Sequence, residues 1–248
     1  MAAAVLTGCG TKQISGDWIL SEAEINGEKI EIPENTFASF SADKASPESK
    51  GDYSIYGNAG VNNYNGKADV TGGKISIRLG ALTMMTADEA SSSFEQNFLA
   101  ILSNASKIET KDDMTLILAG SDETDTYKAV LIRNTLDGTT WTARALNTGN
   151  AVVSLSGENL PTITLGKEKA RGFSGVNSYS CTVSLSEATR TLSFGNIAST
   201  KMAGPEEVMI QEQRFFELLA KTDSYRLSGP NLTLLNGETA LVVMSKTE

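Results

Sequence analysis

The 248-residue chain contains no histidine and only two cysteines, and no apolar run approaches the ~18–20 residues that a membrane-spanning helix needs. Without histidine there is no Ser-His-Asp or Cys-His triad, no imidazole-ligated zinc and no histidine general base. Neither a phosphate-cradling glycine-rich loop nor a Cys-x-x-Cys pair nor a calcium-loop spacing occurs, so no cofactor or metal is expected. Basic residues are outnumbered 21 to 30, giving a net charge of −9 and a pI near 4.7, which argues against nucleic acid as a partner.

What is present is an ordinary globular balance, 40% hydrophobic and 21% charged, in a length that suits one large domain or two small ones. Internal similarity favours two. Gly16-Asp17-Trp18 is echoed by Gly138-Thr139-Thr140-Trp141, and Gly60-Val61-Asn62-Asn63-Tyr64 by Gly175-Val176-Asn177-Ser178-Tyr179. Thr83-Met84-Met85 answers Thr200-Lys201-Met202, and Glu95, Phe98 and Leu102 answer Glu212, Phe215 and Leu219. Order and spacing agree across all four landmarks, as a duplication with small loop insertions requires. The joint falls in the polar turn Asn134–Gly138. This gives a tether over residues 1–15, a first domain over 16–133 and a second over 138–248. Residues 14–133 carry 10 basic and 19 acidic side chains and residues 138–248 carry 10 of each, so the net charge resides in the first copy.

Each copy reads as short strands, one helix and further strands. Residues 74–79 and 115–118 alternate as strands, as do 161–165 and 232–235 in the second copy. Thr86-Ala87-Asp88-Glu89 predicts a capping box opening the first helix, with Phe94, Phe98, Ile101 and Leu102 as its apolar stripe. Pro205 is expected as the first residue of the second helix, with Val208, Phe215, Leu218 and Leu219 facing inward. The pattern predicts an α+β fold. Trp18 and Trp141 are expected to bury their indoles, Met84, Met85 and Met202 to fill gaps in the core, and Cys181 to act as a small buried hydrophobe. The adjacent carboxylates Asp88/Glu89 and Glu206/Glu207 suit helix starts better than paired catalysis.

The order Trp, Gly-x-Asn-x-Tyr, Thr-x-Met, then Glu-x-x-Phe in a helix resembles the META domain, also called the HslJ-like domain, in two tandem copies. The resemblance implies a curved, mostly antiparallel sheet with one packed helix in each copy. It also implies a bacterial envelope protein of a kind sometimes heat-inducible or linked to antibiotic tolerance. The family pattern commonly reads Gly-Cys-Asn and Thr-x-Met-Ala-Cys. Here Val61 and Val176 stand at the first cysteine position and Ala87 and Gly204 at the second, so small or apolar packing must replace any paired thiols there.

Leu6-Thr7-Gly8-Cys9 resembles a bacterial lipobox, in which Cys9 is acylated and anchors the protein in a membrane. Gly10 carries no acidic retention signal, which implies the outer membrane, facing the periplasm. Asn62, Tyr64, Asn177 and Tyr179 are the candidate residues: either a tight structural turn bracing sheet against helix or a polar ligand patch. The expected function is non-catalytic docking of an envelope protein partner. The alternatives are a carboxylate-dependent hydrolase of envelope glycans or peptides, and capture of a small ligand.

Overall fold

A computed structural model describes residues 14–46 and 52–247. The chain divides into two compact units, Met1–Asn134 and Thr135–Glu248. In the first, the chain forms β1 (Gly16–Ile25), β2 (Glu28–Lys29), β3 (Ser39–Lys44), β4 (Asp52–Asn58), β5 (Asn63–Thr71) and β6 (Lys74–Leu82). It then forms α1 (Glu89–Asn104), β7 (Ala105–Thr110), β8 (Thr115–Ser121) and β9 (Thr126–Arg133). The second unit repeats the order with β10 (Thr140–Asn147), β11 (Val152–Ser154), β12 (Thr162–Leu165), β13 (Lys169–Phe173), β14 (Ser178–Ser186) and β15 (Thr191–Ser199). α2 (Glu206–Lys221), β16 (Ser224–Ser228), β17 (Asn231–Asn236) and β18 (Thr239–Lys246) complete it.

All strand pairings are antiparallel, and each sheet closes on itself. β1 pairs with β3 on one side and with β9 on the other, from Trp18↔Arg133 to Ile25↔Tyr127. β10 likewise pairs with both β12 and β18. The curved sheet of the expectation is therefore an eight-stranded barrel in each unit, with β2 and β11 as short additions outside the ring. Closure needs strands that bend, and both first strands carry a bulge at the matching place, Leu20/Glu22 and Ala143/Ala145.

Burial alternates along the strands, as in β4 and β14, so one face of each fills the barrel. Trp18, Phe40, Ile55, Leu116 and Leu131 occupy the first interior, and Trp141, Ile163, Leu192, Leu232 and Val242 the second. Each indole finds an acceptor for its N–H, the Ile14 carbonyl at 2.9 Å and the Thr139 hydroxyl at 2.8 Å. Ile14, which the sequence assigns to the tether, belongs to the first core. Cys181 is a free, buried thiol whose pKa burial pushes up.

The ring has one thin seam in each unit. β6 meets β7 at a single paired position, Lys74↔Lys107, and β15 meets β16 only at Thr191↔Ser224. The helix between those strands contacts β6, β8 and β9 in the first unit and β15, β10 and β18 in the second. Phe94, Phe98, Ile101 and Leu102 of α1 and Phe215, Leu218 and Leu219 of α2 are buried against the barrels, while Val208 is half-buried. Two helix starts differ from the expectation. The cap of α1 is Asp88, which accepts from the Ser91 backbone N–H at 2.9 Å, not a Thr86/Glu89 box. Pro205 is the cap of α2 itself, and Glu206 is the first helical residue.

Candidate functional site

The repeated motifs converge on one joint in each unit, where the barrel meets the start of the helical segment. In the second unit the Asn177 side chain is the hub. Its carbonyl oxygen accepts from the Thr200 hydroxyl and the Met202 backbone N–H, both at 2.7 Å. Its amide donates to the Met202 carbonyl at 3.3 Å and to Glu212 Oε1 at 2.8 Å. The Asn177 backbone N–H donates to Glu212 Oε2 at 2.9 Å, and the Ser174 hydroxyl donates to the same oxygen.

The first unit builds the same joint. The Thr83 hydroxyl (2.9 Å) and the Met85 N–H (2.6 Å) donate to the Asn62 side-chain oxygen. The Asn62 amide donates to Glu95 Oε2 at 3.0 Å and to the Met85 carbonyl at 3.3 Å, and its backbone N–H to Glu95 Oε1 at 2.6 Å. One asparagine thus ties three chain segments together: its own turn, the Thr-x-Met segment and the helix.

The tyrosine two residues on seals the joint from within. Tyr64 donates to the Ser39 carbonyl at 2.8 Å and Tyr179 to the Thr162 carbonyl at 2.9 Å, and burial raises both phenol pKa values far above normal. Their rings pack on the helices, Tyr64 tilted at 59° to Phe98 and Tyr179 edgewise on Phe215. Glycine is obligatory beneath them: a Cβ at Gly57 would lie 2.0 Å from the Ser39 carbonyl oxygen, and at Gly172 2.0 Å from that of Thr162. Gly60 and Gly175 adopt φ values of +120° and +117° just before the asparagine turn, a backbone region that other residues avoid. All four candidate residues, Asn62, Tyr64, Asn177 and Tyr179, are therefore buried with their side-chain polar atoms engaged inside their own unit.

Burial alone would raise the Glu212 carboxyl pKa. Hydrogen bonds from Ser174, from the Asn177 side chain and from the backbone of Asn177 and Val176 outweigh it and hold the group below the ordinary glutamate value. The positions where the family pattern has cysteines also meet here: a Cβ built on Gly204 would lie 3.4 Å from the Val176 Cβ, so close packing of a small residue on an apolar one takes the place of a bridge.

The methionines correct the sequence reading. Instead of filling the core, Met84, Met85 and Met202 are 97%, 63% and 56% exposed. The reason is the joint itself: Met85 and Met202 are pinned by both backbone polar groups to the asparagine, which fixes the backbone and turns the side chains to solvent. In sequence Glu95 and Glu212 are only landmarks of the repeat. Their partners lie 33 and 35 residues away, so spacing alone does not reveal them.

Of the adjacent carboxylates, Asp88 is engaged as a helix cap, with its pKa lowered first by the Ser91 backbone N–H and then by the Ser91 hydroxyl. Glu206 and Glu207 are exposed in the first turn of α2. Two carboxylates that sequence spacing does not pair, Asp52 and Asp69, face each other across β4 and β5. Hydrogen bonding between them raises the pKa of Asp52 and lowers that of Asp69. Among the described residues no three histidine, cysteine or carboxylate side chains gather as a metal ion would require. Cys9 lies outside the described residues.

The sequence model of the family described as "META domain" matches residues 12–130 and again residues 134–248. No curated protein matches the chain. Among solved structures, a protein from Burkholderia xenovorans determined by NMR is similar at 25% identity and a TM-score of 0.37, over 45% of this chain and 83% of that one.

Proposed function

Since the chain belongs to the META domain family and carries the domain twice, we propose that it is a non-catalytic, lipid-anchored protein of the cell envelope that docks a protein partner through its two Thr-x-Met segments. One observation carries this reading. The polar atoms of the signature are spent on immobilising Met85 and Met202, whose side chains are left exposed on a fixed backbone in both units. A pre-ordered backbone loses little conformational freedom on binding, and methionine adapts its shape to varied surfaces. Two such points on one chain add avidity without new contacts, provided that both can engage together. The anchor is supported by Leu6-Thr7-Gly8-Cys9, and Gly10 after it favours the outer membrane, facing the periplasm.

The test is in-cell crosslinking of the full chain behind a complete export signal, against Cys9→Ala and against Met84→Ser/Met85→Ser/Met202→Ser. The anchored chain is expected in the membrane fraction with one specific crosslinked partner. Cys9→Ala should move it to the soluble fraction, and the serine variant should lose the partner while remaining anchored and folded. An unchanged crosslink in the serine variant refutes docking through these segments, and an unchanged membrane fraction for Cys9→Ala refutes the anchor.

A further inference from the structure

Each barrel carries one short strand outside its ring, and the two differ at their free edges. In the second unit β11 runs beside β10, with the Thr148 N–H donating to the Ala151 carbonyl at 2.8 Å and the Leu155 N–H to the Arg144 carbonyl at 2.7 Å. Backbone groups alternate in direction along a strand, so Val153 also turns its N–H and C=O to β10, while Val152 and Ser154 turn theirs away. Among the described residues none of those four outward groups meets a hydrogen-bond partner. The side chains are open as well: Ala151, Val152, Val153 and Ser154 are all exposed, the two valines by 44% and 48%. An edge with exposed β-branched residues and no charge on it is a template for another strand.

The first unit shows the same edge defended. The turns Asn26-Gly27 and Gly149-Asn150 correspond, so Lys29, Ile30 and Glu31 stand where Val152, Val153 and Ser154 do. There the middle residue, Ile30, is packed against the first core, and exposed charges flank it, with Lys29 lying 3.9 Å from Glu22. Charges at an edge strand oppose the approach of a further strand, because they lose water as it docks. The first unit also carries the net charge of the chain, so two copies of it repel. The second unit, with 10 basic and 10 acidic side chains over residues 138–248, does not.

We infer that β11 is a self-association edge, which pairs antiparallel with β11 of a second copy of this chain about a two-fold axis through Val153. The occupant follows from the symmetry of the pattern. The outward groups stand one residue to either side of Val153, so a reversed copy sets the partner's Ser154 against Val152 and the partner's Val152 against Ser154. Each of these two pairs exchanges two hydrogen bonds, and no outward group is left over. Val153 then faces the partner's Val153 as a non-hydrogen-bonded pair, about 4.5 Å apart between Cα atoms, where side chains approach most closely. Such an isologous contact closes at two copies, and its small extent makes the dimer weak and reversible. The edge is separate from the methionine segments, so its fate does not decide theirs.

The test is disulfide trapping in the full chain carrying Cys9→Ala, with one cysteine added at a time under mild oxidation; the remaining thiol, Cys181, is buried. Rates are scaled by the reactivity of each added thiol toward a small disulfide reagent. Val153→Cys is expected to form a covalent dimer at least tenfold faster than Val152→Cys or Ser154→Cys, because only position 153 meets itself across the axis. Adding Val152→Pro to the Val153→Cys chain removes an outward N–H that β10 does not use, and should slow dimer formation at least tenfold. Unchanged exchange protection of the Thr148 and Leu155 amides reports that β11 still lies on β10 in that variant. Equal scaled rates at the three positions or an undiminished rate with Val152→Pro overturns the inference. So does the absence of a dimer at position 153, the result if the edge instead serves an extended segment of another protein.

Discussion

At the joint of barrel and helix, Glu212 in the second unit receives the Ser174 hydroxyl in addition to the donors of Asn177, and it is buried. In the first unit Ala59 stands where Ser174 does, and Glu95 is half-buried with the Asn62 donors alone. The barrels differ in the opposite sense at their first strands. There the first unit buries a carboxylate, Asp17, which accepts from the Ser41 hydroxyl at 2.6 Å, and the second pairs two neutral hydroxyls, Thr140 and Thr164, at 3.0 Å. The fold therefore prescribes the asparagine hub and the tyrosine seal, which are the same in both units, and leaves open where a charge is buried. A buried carboxylate is tolerated where donors face it, and each unit turns a hydroxyl onto one in a different place, Ser41 onto Asp17 and Ser174 onto Glu212.

Three sets of substitutions probe this comparison. The largest effect is expected from the hub. Asn177→Ala removes four hydrogen bonds and leaves Glu212 short of a donor in a dry site, a cost of about 4 kcal/mol. Asn62→Ala removes the same four bonds, but water can reach Glu95, so about 2–3 kcal/mol is expected. Native-state hydrogen exchange resolves the two units within one chain. Equal losses would show that the extra burial of Glu212 has no energetic consequence.

Ser174→Ala converts the second joint to the arrangement of the first and is expected to cost about 2 kcal/mol, as a hydrogen bond to a charged group does. It also predicts an acid response. The pKa of Glu212 is lower in the folded state than in the unfolded chain, so its contribution is complete above the ordinary value of 4.5 and is lost as pH falls through the folded value. Exchange measured in this acid window should show the second unit weakening, with a smaller change in Ser174→Ala and none from this source in Glu212→Gln. The smallest effect is expected from the seal. Tyr64→Phe and Tyr179→Phe each lose one phenol-to-carbonyl bond and keep the ring, so both should lower stability by about 1 kcal/mol and by the same amount. A marked inequality would break the claim that this part is shared.

The duplication, the helix stripes and four of the strands, β6, β8, β12 and β17, are legible in the sequence because they rest on local periodicity. Phe94, Phe98, Ile101 and Leu102 declare their face within three turns. Barrel closure is not legible, since β1 and β9 are brought together from over 100 residues apart and neither strand carries a local sign of its second partner. The asparagines and tyrosines can be picked out by their repetition, yet their partners at Glu95, Glu212, Ser39 and Thr162 depend on register. Methionine next to a helix reads as core by hydropathy alone. That rule fails at Met85 and Met202 because the backbone there is fixed by side-chain hydrogen bonds and not by burial of the thioether.

The closing pairs have a consequence for how the chain reaches its native state. β1 must find β9, while β10 must find β18, and the two closures join similar segments of one polypeptide. During synthesis at 5–20 residues per second, Arg133 emerges roughly 6–23 s before Lys246, whereas barrels built on non-local pairings fold in milliseconds to seconds. The first ring can therefore shut before the competing last strand exists, so vectorial synthesis selects the correct pairing of two barrels with the same strand order. Refolding from denaturant, where β9 and β18 are available to β1 at once, lacks that selection.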